Sequence, residues 1–248
     1  MVIPKNQIKK TKIRQRWLWG ISGVSFFIVL VLLFSIRNKA LNTSPALAFG
    51  LYPDKPDATI NLYATRTPQY QEPEGCRQPP DDYTRITVNN VTLNARTFAM
   101  LEYAAELYGG TIPITGAAIM QGSYNPGGVA ASFGTHDGGG AVDLSVRNIP
   151  YSWDIKWEDI PKLIDALRLA GFAAWYRDER ENLVPHIHAI AIGDAELSSA
   201  AAEQLTGRYG YFRGYDGFPR DNGIPLRPRY GTVIICQWML DMGYQDLR

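Results

Sequence analysis

All three histidines of this 248-residue chain fall in two short stretches. The first reads Ser132-Phe133-Gly134-Thr135-His136-Asp137-Gly138-Gly139-Gly140-Ala141-Val142-Asp143-Leu144. The second reads Pro185-His186-Ile187-His188. Each imidazole has a carboxylate or a second imidazole close by in sequence. Two histidines and one aspartate can hold a metal ion and leave a coordination position open for water, which is the outline of a catalytic rather than a closed structural site.

The local patterns support convergence of these groups. Residues 141–146 read as a buried strand, and the period of two puts Asp143 on one face and Val142, Leu144 and Val146 on the other. Residues 186–192 read the same way, so His186 and His188 share a face at roughly 7 Å from each other. One of them can bind the ion while the other stands beside a bound substrate. The glycines between His136 and Asp143 allow a sharp turn, so a loop histidine and a strand aspartate can meet. The competing reading is an ordinary strand with packed or surface histidines. Against it stands the gathering of every histidine in the chain into these two stretches.

His136-x6-Asp143 followed by His186-x-His188 resembles the zinc signature of the D-Ala-D-Ala metallopeptidases, relatives of lysostaphin-type endopeptidases and of the hedgehog signalling domain. The family pattern is Ser-x-His-x-x-Gly-x-Ala-x-Asp, then His-x-His. Gly139, Ala141 and Asp143 fall in register after His136, whereas Ser132 stands four residues before it rather than two. The resemblance covers residues 92–193. It implies that His136, Asp143 and His188 bind zinc (Zn2+) and that His186 is the active-site histidine. Many family members carry an arginine just before the metal stretch, where it contacts a substrate carboxylate or carbonyl. This chain has none between Arg96 and Arg147. Gln121 is the nearest polar substitute and the candidate substrate-binding residue; it can hydrogen-bond a carbonyl but cannot neutralise a carboxylate. Its other reading is a loop residue bonded to backbone. The substitution weakens the case for strict carboxypeptidase action. No HExxH helix supplies a glutamate base, and no carboxylate stands three residues before His188.

The elements that must position these groups follow from period and punctuation. Asn94 can cap a helix over residues 95–108 with Phe98, Leu101, Ala105 and Tyr108 on one stripe, stopped by Gly109-Gly110. Residues 114–120 read as a strand entered through Pro113, followed by a polar loop over 121–128. Residues 157–170 read as an amphipathic helix with Ile160, Leu163, Ile164 and Leu167 facing a sheet; Pro161 is tolerated near its first turn. Residues 172–176 and 186–192 flank a charged turn and look hairpin-like, so the sheet is expected to be antiparallel. Helices are expected over 197–205 and 232–242. The intervening residues 207–230, rich in Gly, Arg, Tyr and Pro, either line a groove or cover the fold.

The N-terminal third differs in kind. Residues 1–16 are basic, and residues 17–36 run without a charge. At 1.5 Å per residue that run makes roughly 30 Å of helix, enough for a bilayer core. Basic residues on its N-terminal side favour a cytoplasmic N-terminus and an external soluble part. A cleaved signal peptide ending at Ala46-Leu47-Ala48 is the competing reading, but the run is long for one and Arg37, Asn38 and Lys39 separate it from that site. Residues 37–83 carry seven prolines and read as a linker or wrapping arm. The net charge of +1 hides an asymmetry: residues 1–39 hold eight basic residues and no acid, so the remainder holds 17 basic against 24 acidic residues. Such a net-negative domain lacks the basic face that nonspecific nucleic-acid binding requires. Cys76 and Cys236 are either two free thiols or one bridge, which an exported domain would favour.

Together these readings predict an α+β domain over residues 84–248. It has a small antiparallel sheet with the zinc site on one face and helices on the other, after an N-terminal transmembrane helix. The resemblance implies a membrane-anchored, extracytoplasmic zinc metallopeptidase, a hydrolase of peptide bonds in cell-wall peptidoglycan. Its partners would be a peptidoglycan peptide as substrate and the membrane through the N-terminal helix. The alternative is a non-catalytic domain that holds zinc or calcium and binds wall peptides or a partner protein.

Overall fold

A computed structural model of the chain describes residues 70–248. The expected basic segment and membrane anchor, and most of the proline-rich arm, lie outside the described residues. Among the described residues no helix is long and apolar enough to cross a membrane.

The fold is α+β. A hairpin of β1 (Arg85–Val88) and β2 (Val91–Asn94) leads into helix α1 (Ala95–Tyr108). Strands β3 (Ile119–Gln121), β4 (Ala141–Ser145), β5 (Phe172–Arg177) and β6 (His186–Ala191) form an antiparallel sheet of order β3-β4-β6-β5. Helix α2 (Asp159–Leu169) connects β4 to β5, and α3 (Ser199–Thr206) follows β6. A single turn of helix, α4 (Gln237–Asp241), lies near the C-terminus.

Capping works as the residue types predict. The Asn94 side chain accepts a hydrogen bond from the Thr97 N–H, and Gly109 ends α1 in the left-handed conformation. The buried stripe of α1 is rotated from the expected one: Met100, Leu101, Ala104 and Tyr108 are buried, while Phe98 and Ala105 are only partly so. The expected strand over 114–120 shrinks to Ile119–Gln121, because Gly116 and Ala118 turn back to donate to the Pro113 carbonyl. The expected C-terminal helix over 232–242 shrinks to Gln237–Asp241, with residues 232–236 outside any regular element.

Strand period divides the core in two. Val142, Leu144, Val146, Phe172, Ala174, Ile187 and Ala189 pack with α1 and α2 in one cluster. Ala173, Trp175, Ile190 and Ile192 face the other way and pack with Ala201, Leu205, Tyr211, Phe212, Val233 and Met239 in a second. The expectation of helices on one face only is therefore corrected. The site-bearing face is covered at one end by α3 and the C-terminal segment, and only its other end is free for a site.

The last part of the arm is not a free spacer. Cys76 is disulfide-bonded to Cys236 across 160 residues of sequence, with Cα atoms 5.7 Å apart. The buried Arg96 guanidinium donates to the Pro79 and Pro80 carbonyls and pairs with Asp81 at 2.6 Å. Residues 76–81 are thereby held against α1 and the C-terminal segment.

Candidate metal centre

Sheet register assembles the site. Gln121 lies opposite Asp143, Asp143 opposite His188, and His188 opposite Trp175. One step along, Ser145 lies opposite His186 and His186 opposite Arg177. Residues directly opposite in an antiparallel pair point to the same face, so these two rows present their side chains together.

His136 reaches this face from the loop before β4. That loop is pinned by the Asn125 N–H donating to the His136 carbonyl and the Tyr124 N–H to the Gly138 carbonyl. Two of its glycines are sterically required. A Cβ on Gly138 would stand 2.3 Å from the Glu196 carbonyl oxygen, and one on Gly140, at φ +76°, would stand 2.8 Å from Leu197 Cδ2.

Three donor atoms converge. His136 Nε2 lies 3.3 Å and His188 Nδ1 2.7 Å from Asp143 Oδ1, and one ligand atom from each residue falls within 4.8 Å of the others. The second nitrogen of each imidazole is committed elsewhere. His136 Nδ1 is 2.8 Å from the Gly122 carbonyl oxygen, and His188 Nε2 is 3.1 Å from Gln204 Oε1 on α3. The Gly122 carbonyl only accepts, so His136 Nδ1 carries that ring's proton; for His188 both Asp143 Oδ1 and Gln204 Oε1 accept, so either ring nitrogen can carry it. A cation between the three groups would set the His188 proton on Nε2 and take up the lone pairs of both rings beside the Asp143 carboxylate. His136 Nε2 is buried without a satisfying hydrogen-bond partner. In an ion's absence a proton is the only substitute. Burial opposes charge on His136, but the Asp143 carboxylate outweighs it and raises the pKa. For His188 burial wins, pushing the pKa down to about 4 despite the same carboxylate. Burial would raise Asp143, yet its contacts with His136 and His188 hold it well below the usual carboxylate range. The donor set fits a divalent cation.

His186 stands apart from the triad. Its Nε2 is 3.7 Å from Asp143 Oδ1 and its Nδ1 lies 2.6 Å from the Val184 carbonyl oxygen. The Nδ1 proton is thus fixed by backbone, and Nε2 faces the centre. Trp175 stacks on His188, with ring centroids 6.2 Å apart and planes at 13°.

A cavity of about 360 Å³ opens over these groups, lined by His136, Asp143, His186, His188, Gln204 and Arg177 among others. Gln121 lines it too, as the last residue of β3 rather than a loop residue, and exchanges hydrogen bonds with the Ser132 hydroxyl at 3.0 and 3.2 Å. Phe133 and Phe218 meet edge-to-face at its rim, 6.1 Å between centroids. Residues 207–230 therefore do both things expected of them: Phe218 lines the cavity, while Tyr211 and Phe212 pack beneath it.

Sequence reasoning missed Arg177, Gln204, Trp175 and Phe218. Arg177 and Trp175 carried a legible signal, since the hairpin places β5 residues beside the histidines. Gln204 and Phe218 carried none. Comparison of the chain with models of known families, with curated proteins and with solved structures returns no match.

Proposed function

We propose that the chain is a zinc-dependent peptidase of the D-Ala-D-Ala metallopeptidase type, hydrolysing peptide bonds of cell-wall peptidoglycan. The observation that carries this reading is the convergence of His136 Nε2, His188 Nδ1 and Asp143 Oδ1, with the second nitrogen of each imidazole set against its own outer partner. Two imidazoles and one carboxylate suit zinc better than calcium, which takes six to eight oxygen ligands. Among the described residues the group has three protein donors, which leaves a coordination position for chemistry. When bound, zinc supplies Lewis acidity toward a carbonyl and lowers the pKa of a water toward neutrality.

The chain's own residues supply the rest. His186, with Nδ1–H fixed on the Val184 carbonyl, offers Nε2 to the reacting carbonyl oxygen or to a proton in transit. Gln121 and Ser132 present an amide and a hydroxyl on one wall of the cavity, able to align a peptide backbone. Trp175 and Gln204 hold His188 in one orientation. In this reading residues 17–36 anchor the enzyme with its domain outside the membrane, and the disulfide suits that compartment.

The test uses the full chain in detergent micelles: metal analysis after purification, then incubation with peptidoglycan and mass analysis of the released peptides. Near-stoichiometric zinc and new peptide termini, both lost on treatment with a chelator and restored by zinc, are expected. Bound metal without hydrolysis of any peptidoglycan substrate would reject the peptidase reading in favour of a binding domain.

A further inference from the structure

The described residues include three deeply buried arginines, Arg96, Arg168 and Arg177. Arg96 donates to three carbonyls and pairs with the Asp81 carboxylate. Arg168 donates to the carbonyls of Tyr230, Thr232 and Ala174. Among the described residues the Arg177 side chain makes a single hydrogen bond, Nη2 to the Asp216 carbonyl oxygen at 2.6 Å, and no carboxylate oxygen lies within 4.0 Å of its guanidinium. It is nonetheless only 2% exposed. Burial pulls its pKa down to about 10, with Asp216 and Glu181 opposing and Arg229 and Arg220 adding to the shift.

The carboxylates nearest in space are already engaged. Asp216 accepts from Arg220 at 2.6 Å, and Glu181 accepts from Arg229 at 3.0 Å. The guanidinium itself is held between aromatic rings, its carbon 5.3 Å from the Trp175 centroid and 5.2 Å from that of Phe218. A buried, under-partnered cation is costly unless something neutralises it. Arg177 lines the same cavity as the donor triad and lies opposite His186 in the sheet.

We propose that Arg177 is the specificity-determining residue of this site, binding a carboxylate of the substrate peptide next to the bond positioned at His186 and the metal. This rests on the peptidase reading for its reaction, but not for its binding. The planar guanidinium has donors to spare for an anion in the cavity, a role the Gln121 amide cannot fill. The carboxylate is either the peptide's C-terminus or an acidic side chain, and the experiment separates the two.

Binding of three peptides to the full chain in micelles is measured by calorimetry after chelator treatment, so that no ion can hold the anion. The probes are N-acetyl-D-Ala-D-Ala, its C-terminal amide, and an amidated peptide carrying a glutamate side chain beside D-alanine. One of the two acids should bind about 10- to 100-fold tighter than the neutral amide, the size expected for a charge-assisted hydrogen bond. Whichever acid does so identifies the source. Arg177→Gln should reduce the ratio to near one, and Arg177→Lys should retain part of it, because it keeps the charge but not the fork. Equal binding of acids and amide to the wild-type chain overturns the proposal, even if Arg177→Gln fails to fold. A preference that survives in a folded Arg177→Gln overturns it as well. Acid preference without any hydrolysis rejects the peptidase reading and leaves the role of Arg177 standing; hydrolysis indifferent to both acid and Arg177 does the reverse.

Discussion

At the scale of single residues, the two imidazoles of β6 are distinguished by which nitrogen faces Asp143 and by what holds the other. His188 presents Nδ1 at 2.7 Å and His186 presents Nε2 at 3.7 Å. His188→Ala should therefore lose metal and activity together, since two remaining ligands hold zinc poorly. His186→Ala should keep near-stoichiometric zinc while kcat falls by about 10²- to 10⁴-fold, as for loss of a proton-transfer group or an oxyanion donor. Metal analysis beside single-turnover kinetics separates the two; the opposite pattern reverses the assignment. Gln204 acts on the centre only through His188. Gln204→Leu should weaken zinc affinity by about 10- to 100-fold, measured by competition with a chelator, while Gln204→Glu, which keeps an acceptor, should recover most of it.

At the scale of elements, β5, β6 and their turn depend on residues 207–230. Arg229 donates to Asp178 at 2.5 Å, to Glu181 at 3.0 Å and to the Tyr176 carbonyl at 2.9 Å, tying this segment to the hairpin that carries Arg177 and both β6 histidines. Burial would raise the Asp178 pKa, but the Arg229 contact outweighs it and holds the carboxylate below its usual range. A carboxyl with a depressed folded pKa stabilises the fold above its unfolded value, near pH 4, and that contribution fades as pH falls through the folded one. Arg229→Gln should thus destabilise by about 1–3 kcal/mol at pH 7. The difference from wild type should shrink in denaturant titrations taken progressively below pH 4; a difference independent of acid would show that the pair does not carry it. Helix α1 depends on Asn94, whose Oδ1 caps it while Nδ2 donates to Asp194 at 2.7 Å. Asn94→Ala should cost about 1–2 kcal/mol of stability, measured in the same way.

At the scale of the whole domain, the Cys76–Cys236 bridge ties residue 76, outside α1, to the start of α4 across 160 residues. Closing so long a loop constrains the unfolded chain strongly, so Cys76→Ala with Cys236→Ala should lower stability by about 2–5 kcal/mol. Non-reducing peptide mapping should recover the linked pair, and thermal melting of wild type with and without reductant should reproduce the loss; equal melting temperatures would remove the bridge from the stability of the fold. The bridge and Arg96 together make the arm's last residues part of the domain, whatever the preceding proline-rich chain does.

Local features were legible in the amino-acid pattern. Strand period put Val142 and Leu144 in the core and Asp143 on the site face, and put His186 and His188 side by side. Asn94 and Gly109 bounded α1 because capping acts over three or four residues. Which end of the site face is open depends on long-range packing. Ile190 and Ile192 are covered by Tyr211, Phe212 and Val233, residues whose apolar character says nothing of which distant strand they will meet. The short β3 has a local cause, the turn hydrogen bonds at Pro113, whereas α4 starts beside a bridge that reaches across the chain from Cys76. Register between strands, invisible in either strand alone, set Arg177 opposite His186, on the sheet edge away from Gln121. Periodicity along one strand fixes a side chain's face; its neighbours across the sheet are fixed only when the strands pair.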